Sequence, residues 1–190
     1  MIVQTDYEII IVGAGVIGLA VARALAIEEK RSVLIIEKEM GFGQGTSSRN
    51  SEVIHSGIYY PSNSIKAKYC LNGRAKLYEF CRRNNVWYKN CGKLVVAQIG
   101  QESQLTSLFE QAQANDVPDV HIVDRLGVSK LEPTVSAESA MFVGCTGIVS
   151  AHELMSAYHR IATQADHDIL LRSTVVGVEP KGDAYLLEVK

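Results

Sequence analysis

Tyr7-Glu8-Ile9-Ile10-Ile11-Val12-Gly13-Ala14-Gly15-Val16-Ile17-Gly18 is an apolar run that passes directly into glycines spaced G-x-G-x-x-G and then into an alanine-rich segment. The order strand, turn, helix is that of a mononucleotide-binding βαβ unit, and each glycine has its own task. Gly13 allows the tight turn, Gly15 lets the backbone approach a pyrophosphate, and Gly18 lets the helix lie close to the sheet. The anion would sit on the helix N-terminus, where free N–H groups and the helix dipole favour negative charge. Any glycine-rich turn can imitate the spacing, so the flanks decide. A β-branched run precedes it, Ala20, Ala22, Ala24 and Ala26 follow, and Ser32-Val33-Leu34-Ile35-Ile36 supplies a second strand that ends at Glu37. An acid about 20 residues beyond the last glycine is where a carboxylate meets an adenosine ribose. The competing reading is a doubly wound domain that binds no nucleotide.

Composition sets the outer limits. The chain has 190 residues, 47% hydrophobic and 21% charged, with a formal net charge of -2, enough for one sizeable core or two small ones. No basic excess or like-charge block points to nucleic acid. The short stretch between Met1 and the first strand leaves no room for an apolar leader, and no apolar run has the length of a membrane span. A cytoplasmic location is the default expectation, with peripheral membrane contact left open. Cys70, Cys81, Cys91 and Cys145 show no metal-ligand or CxxC spacing, and are expected as reduced, small apolar core residues.

Periodicity predicts a helix over Val16–Glu28 with Ile17, Val21, Ala24 and Leu25 packed on the sheet. The charges at Glu28, Glu29, Lys30 and Arg31 mark a solvated exit. After Glu37 a nicotinamide-type domain would begin a crossover helix. Here Gly41-Phe42-Gly43-Gln44-Gly45-Thr46-Ser47-Ser48-Arg49-Asn50-Ser51 follows instead, rich in backbone donors, hydroxyls and amides. That composition suits wrapping a long phosphate- and ribityl-bearing cofactor, FAD rather than NAD. The segment Val53–Pro61 reads as strand-like and carries His55, a candidate base if the preceding loop holds a cofactor.

A helix with Ser64 as N-cap runs to Arg83, with Ile65, Tyr69, Leu77, Phe80 and Cys81 as its apolar stripe and Lys66, Lys68 and Arg74 among its basic residues. Strand Cys91–Ala97, helix Glu102–Ala114 and strands Val120–Val123 and Glu138–Val143 predict an antiparallel substrate-binding sheet. The polar turns around Pro133 read as connection. Helix His152–Ala165, strand Asp168–Leu171, strand Val175–Glu179, a turn at Lys181-Gly182-Asp183 and strand Tyr185–Val189 return to the first layer. The expected fold is therefore α/β: a Rossmann-like, glutathione-reductase-type βαβ domain with an inserted α+β substrate domain. It is expected to be incomplete at its C-terminus, with residues 1–90 as the first part of the FAD domain, 91–150 as a partial cap and 151–190 as the return.

The segment Thr46–Pro61, with Asn90–Ala97 and Thr146-Gly147-Ile148-Val149, resembles the D-amino-acid-oxidase-type FAD-dependent oxidoreductases, and within them the L-2-hydroxyglutarate dehydrogenase/oxidase branch. The resemblance implies FAD with its pyrophosphate on Gly13, Gly15 and Gly18 and its ribose on Glu37. It implies a ring near Ser48, Asn50, Ser51 and His55, with Val16, Ile17, Lys38, Thr46, Ser47, Val175 and Val176 as further cofactor contacts. It also implies that an L-2-hydroxy acid loses its hydroxyl proton to a base, for which His55 is the best match, while its α-hydrogen leaves as hydride. Tyr59, Lys66, Lys68 and Arg74 are weaker candidates for holding the anionic substrate. Arg49, Glu52 and Ser150 depart from the branch, where histidine, glycine and aspartate are usual. Glycerol-3-phosphate or amino-acid oxidation within the same family, and a catalytically silent nucleotide-binding fragment that self-associates through an incomplete sheet, stay open as alternatives. The electron acceptor, oxygen or a quinone, is not legible.

Overall fold

In the computed structural model residues 6–28 and 31–190 are described. The chain begins with strand β1 (Ile9–Val12), helix α1 (Val16–Glu28), strand β2 (Val33–Ile36) and a single 3-10 turn at Thr46–Ser48. It continues through β3 (Val53–Ile54), α2 (Ile65–Asn84), β4 (Tyr88–Lys89), β5 (Leu94–Ala97), α3 (Glu102–Ala114) and β6 (Val120–Asp124). Then come α4 (Arg125–Leu131), β7 (Ser139–Val143), β8 (Gly147–Val149), α5 (Ala151–Gln164), β9 (Asp168–Leu170), β10 (Val175–Lys181) and β11 (Ala184–Val189). Two compact units result: the residues up to Ser51 with Ala151–Lys190, and Glu52–Ser150.

In the first unit β1, β2 and β9 form a parallel sheet in that order, with Ile9 opposite Val33 and Leu34 opposite Asp168. A β-branched strand followed by a crossover helix places the next strand parallel to it, and helix α1 covers the layer. Ala14, Leu19, Ala22, Val33, Ile35, Met155 and Ala162 form the core between the sheet, α1 and α5. At Gly18 a Cβ would stand 2.0 Å from the Gly13 carbonyl oxygen and 3.3 Å from Ile11 Cγ2, so only glycine lets the helix enter this close to the strand. Helix α1 has the expected ends but only part of the expected face: Leu25 packs against the core. Ile17 is 74% exposed and Val21 also points outward, while Leu19 and Ala22 are fully buried. The helix is apolar on nearly every side, so periodicity does not select a face, and α5 takes the side with the small alanines. Glu29 and Lys30 of the charged exit lie outside the described residues; Arg31 is exposed. The returning strands β10 and β11 pair antiparallel around Gly182.

The second unit holds two antiparallel sheets, β3-β8-β4 and β5-β7-β6. Helix α3 packs on the latter around Leu105, Ala112, Met141, Val143 and Ile58. Because β3 and β4 both pair with β8, residues 53–90 belong to this unit, and the division falls at Ser51/Glu52 rather than near residue 90. Three local expectations are corrected. The strand at Val53 ends after Ile54, because Gly57 turns the chain with φ +97. A short α4 fills the supposed connection before Pro133, with the Asp124 carboxylate accepting from the Gly127 N–H at 2.8 Å. On α2 the Ser64 cap is present, accepting from the Ala67 N–H at 3.1 Å, but Ile65 and Tyr69 are exposed while Ala67, Phe80 and Cys81 are buried. Among the four free thiols Cys81 alone is buried; Cys70 and Cys145 are half-buried and Cys91 is exposed.

Candidate functional site

A cleft with a volume of about 340 Å³ opens at the carboxyl ends of β1 and β2, the edge where open α/β sheets bind ligands. Gly13 and Gly15 of the turn, Glu37, Lys38 and Glu39 after β2, and Thr46, Ser47 and Val175 are among the residues that line it. Gly13 takes φ +102 to make the turn, and its N–H donates to the Ile36 carbonyl at 2.8 Å. Glu37, only 8% exposed, accepts from the Ala14 N–H at 2.7 Å and from the Glu39 N–H at 2.9 Å. Each carboxylate oxygen thus keeps acceptor capacity for a further donor. The acid that ends β2 thereby ties the glycine turn to its own strand.

Ser47 caps the first turn of α1, its Oγ accepting from the Val16 N–H at 2.9 Å. Gly15 makes room for this contact, since a Cβ there would lie 2.9 Å from Ser47 Oγ. The glycine therefore admits a side chain of the chain's own loop as well as a ligand. Several other loop side chains are used to fold the loop itself. Ser48 Oγ donates to the Gly45 carbonyl at 3.0 Å, Asn50 Nδ2 to the Ser47 carbonyl at 2.6 Å, and Arg49 to the carbonyls of Gln44 and Gly45. Of the sequence candidates, Gly13, Gly15, Glu37, Lys38, Thr46, Ser47 and Val175 meet in the cleft; Val16, Ile17, Gly18, Ser48, Asn50, Ser51 and Val176 do not line it. Sequence reasoning passed over Ser173 and Thr174, which also line it. They are held there by the Ser173 N–H donating to the Glu37 carbonyl at 3.0 Å. Their signal was a polar pair just past the carboxyl end of a parallel strand.

The second unit presents its own recess, lined by Val53, His55, Tyr59, Lys93 and Thr146 among others, with a volume of about 10 Å³. The pairing of Ile54 with Gly147 sets His55 and Thr146 one residue beyond the last rung of β3 and β8. The loop that follows is held by amides of α3. Gln111 Nε2 donates to the carbonyls of Ile58 and Tyr60 at 3.0 and 2.8 Å, and the buried Asn115 Nδ2 to those of Gly57 and Tyr60 at 3.2 and 2.8 Å. From α2, Arg74 Nη1 donates to the Ser56 carbonyl at 3.4 Å and to Cys145 Sγ at 3.1 Å. Burial pushes the Cys145 thiol up against the opposing pull of that guanidinium, so it stays protonated. Tyr59 is brought into the recess; Lys66 lies over the Tyr60 ring, and Lys66, Lys68 and Arg74 stand outside the recess lining. Lys93, which lies in the Asn90–Ala97 segment of the resemblance but was not among the expected substrate contacts, joins it by donating to Tyr59 Oη at 2.7 Å.

A parallel layer entered through a glycine turn, with a buried acid at the end of its second strand, defines a dinucleotide-binding α/β protein. The family model "DAO: FAD dependent oxidoreductase" matches residues 8–189, and the chain belongs to that family. The human mitochondrial L-2-hydroxyglutarate dehydrogenase is 37% identical over 177 residues, 92% of this chain and 38% of the relative. The Caenorhabditis elegans counterpart is 42% identical over 145 residues, 75% of this chain and 34% of the relative. Among solved structures, FAD-bound L-α-glycerophosphate oxidase from Mycoplasma pneumoniae superposes with a TM-score of 0.92 at 25% identity, over 98% of this chain and 50% of that one. A glycine oxidase from Geobacillus kaustophilus shares the fold, with a TM-score of 0.85 at 23% identity over 98% of this chain and 52% of that one. The expected fold class holds, and the chain spans 38% of the human relative's length.

The expected cytoplasmic location is overturned by these relatives, whose names place them in mitochondria. Composition and net charge do not separate the two compartments. Among the described residues no helix is long and apolar enough to cross a membrane.

Proposed function

We propose that this chain carries the FAD-binding and substrate-activating residues of an L-2-hydroxy-acid dehydrogenase, with L-2-hydroxyglutarate as the substrate. What carries the reading is the pairing of a dinucleotide cleft built on Gly13, Gly15 and Glu37 with a separate recess presenting His55, in a chain whose relatives bear that enzyme's name. The cleft fits the adenosine diphosphate half of the cofactor. The turn at Gly13 and Gly15 and the first turn of α1 would take the pyrophosphate, and Glu37 a ribose hydroxyl. FAD, when bound, supplies a two-electron acceptor for hydride.

The protein's own work is proton transfer and orientation. His55 accepts the C2 hydroxyl proton as the α-hydrogen departs with its electron pair, which leaves a 2-oxo acid and balances the two-electron oxidation. Replacing His55 by Ala in the flavin-loaded protein is expected to lower kcat by about 10²- to 10⁴-fold, the usual contribution of a positioned base, with flavin content unchanged. Unchanged turnover removes His55 from the mechanism. Oxidation of glycerol 3-phosphate is a second reading, favoured by the superposition on the glycerophosphate oxidase. A substrate panel followed by flavin absorbance separates the two.

A further inference from the structure

We infer that Lys93, with Tyr59 and Thr146, forms a carboxylate-binding subsite beside His55. The inference rests on the hydroxy-acid reading above and names the group that holds one of the substrate's negative charges.

Three observations converge on the recess. First, the Lys93 ammonium lies 4.3 Å from the centroid of the Tyr59 ring and donates to its hydroxyl at 2.7 Å. Among the described residues no carboxylate pairs with it, although most surface ammonium groups either face open water or meet an acid. The ring and hydroxyl fix the charge in place without neutralising it. Second, Thr146 is only 4% exposed, and its Oγ1 has no hydrogen-bond partner among the described residues. A buried hydroxyl left unpaired costs roughly 1–3 kcal/mol, and the residue that carries it lines the same recess as Lys93. A ligand oxygen placed there would satisfy it. Third, the backbone of Lys93 is pinned. Its N–H donates to the Val143 carbonyl at 3.1 Å, the Gly92 N–H to the Thr146 carbonyl at 2.9 Å, and Gly92 has φ +72 with Phe142 ring atoms 2.7 Å from where a Cβ would stand. The glycine is what allows the turn to carry Lys93 to this point.

At about 10 Å³ the recess admits little more than one water-sized group. That excludes a whole substrate and suits one oxygen of a carboxylate, with the remainder of the molecule outside. A fixed ammonium and a hydroxyl donor are the complement of such an oxygen, and a charge-assisted pair of this kind is stronger than a neutral one. His55 lines the same recess, so the proposed anion subsite and the proposed base share one lining. Lys66, Lys68 and Arg74 thereby give way to Lys93 as the substrate's cation.

The test uses the flavin-loaded full-length protein and glutarate, a dicarboxylate with no hydroxyl to oxidise, titrated by calorimetry. Lys93→Met is expected to raise the Kd for glutarate, and the KM for L-2-hydroxyglutarate, about 10- to 100-fold, the range of a charged hydrogen bond. The kcat should stay within a few-fold and the melting temperature should be unchanged. Lys93→Arg, which keeps the charge, should restore part of the affinity and guards against a folding defect in the methionine variant. Glutarate that fails to bind the wild type, or that binds wild type and Lys93→Met alike, overturns the subsite. Lys93-dependent glutarate binding without flavin reduction by L-2-hydroxyglutarate would keep the subsite and overturn the proposed reaction instead.

Discussion

Replacing Glu37 by Ala tests the cleft at its tightest point. The carboxylate accepts from the Ala14 N–H at 2.7 Å and the Glu39 N–H at 2.9 Å, and Ala14 is fully buried. Water can replace the partner of the half-exposed Glu39 N–H but cannot reach Ala14, which is left with an unmatched donor. A hydrogen bond to a charged group contributes about 1.5–3 kcal/mol. The Ala14 bond in full and the Glu39 bond in part therefore come to about 2–4 kcal/mol. For a chain of this size each kcal/mol moves the melting temperature by about 2–4 °C, so thermal melts of flavin-free protein should shift down by about 5–15 °C. Glu37→Gln keeps an oxygen toward Ala14 and should lose about half as much. Fluorescence titration with FAD should show weaker binding for both, by about 10- to 100-fold in the alanine variant, since the ribose acceptor is gone. A Glu37→Ala protein that melts within a degree or so of wild type and binds FAD equally well refutes the role of this acid.

Two further outcomes follow from the first unit. Leu19→Ala should cost about 2–4 kcal/mol in urea unfolding as a core truncation, whereas Ile17→Ser should stay within about 0.5 kcal/mol; the reverse order would restore the face expected from periodicity. His167 is buried with no partner for Nδ1 among the described residues, and burial lowers its pKa below that of a free imidazole. The unfolded chain therefore takes up a proton at higher pH than the folded one. Stability is full above about pH 6.5 and falls as pH drops toward the folded value, by up to about 1.4 kcal/mol per pH unit for this site. His159, also lowered by burial, adds to the slope. Urea midpoints at pH 7.5 and 5.5 should differ less in His167→Leu than in wild type; an equal difference contradicts the assignment.

The glycine turn, the two flanking strands and the ends of α1 and α3 were legible because each is fixed by local chemistry: β-branched residues, an absent Cβ, helix-forming runs. Glu37 was legible for the same reason, as its spacing from Gly18 follows from one helix and one strand. The inward face of α1 was not, since a helix of Ile, Leu, Val and Ala has no polar side to betray its orientation. Nor was the loop after Ile54, whose course depends on Gln111 and Asn115, more than fifty residues away along the chain. Tyr59 was named as a substrate contact, but its meeting with Lys93 and Thr146 was not legible, for a stronger reason. They converge through the β3–β8 pairing and the turn at Gly92, and no spacing in the sequence encodes that meeting. The same holds for Ser47, read as a cofactor contact and found to cap α1 as well.

The most direct measurement is anaerobic titration of the flavin-loaded protein with L-2-hydroxyglutarate, followed by the flavin's visible absorbance. Bleaching by L-2-hydroxyglutarate, slowed by about 10²- to 10⁴-fold in His55→Ala and absent with glycerol 3-phosphate, is the expected result. A flavin that L-2-hydroxyglutarate leaves oxidised while glycerol 3-phosphate bleaches it contradicts the proposed reaction.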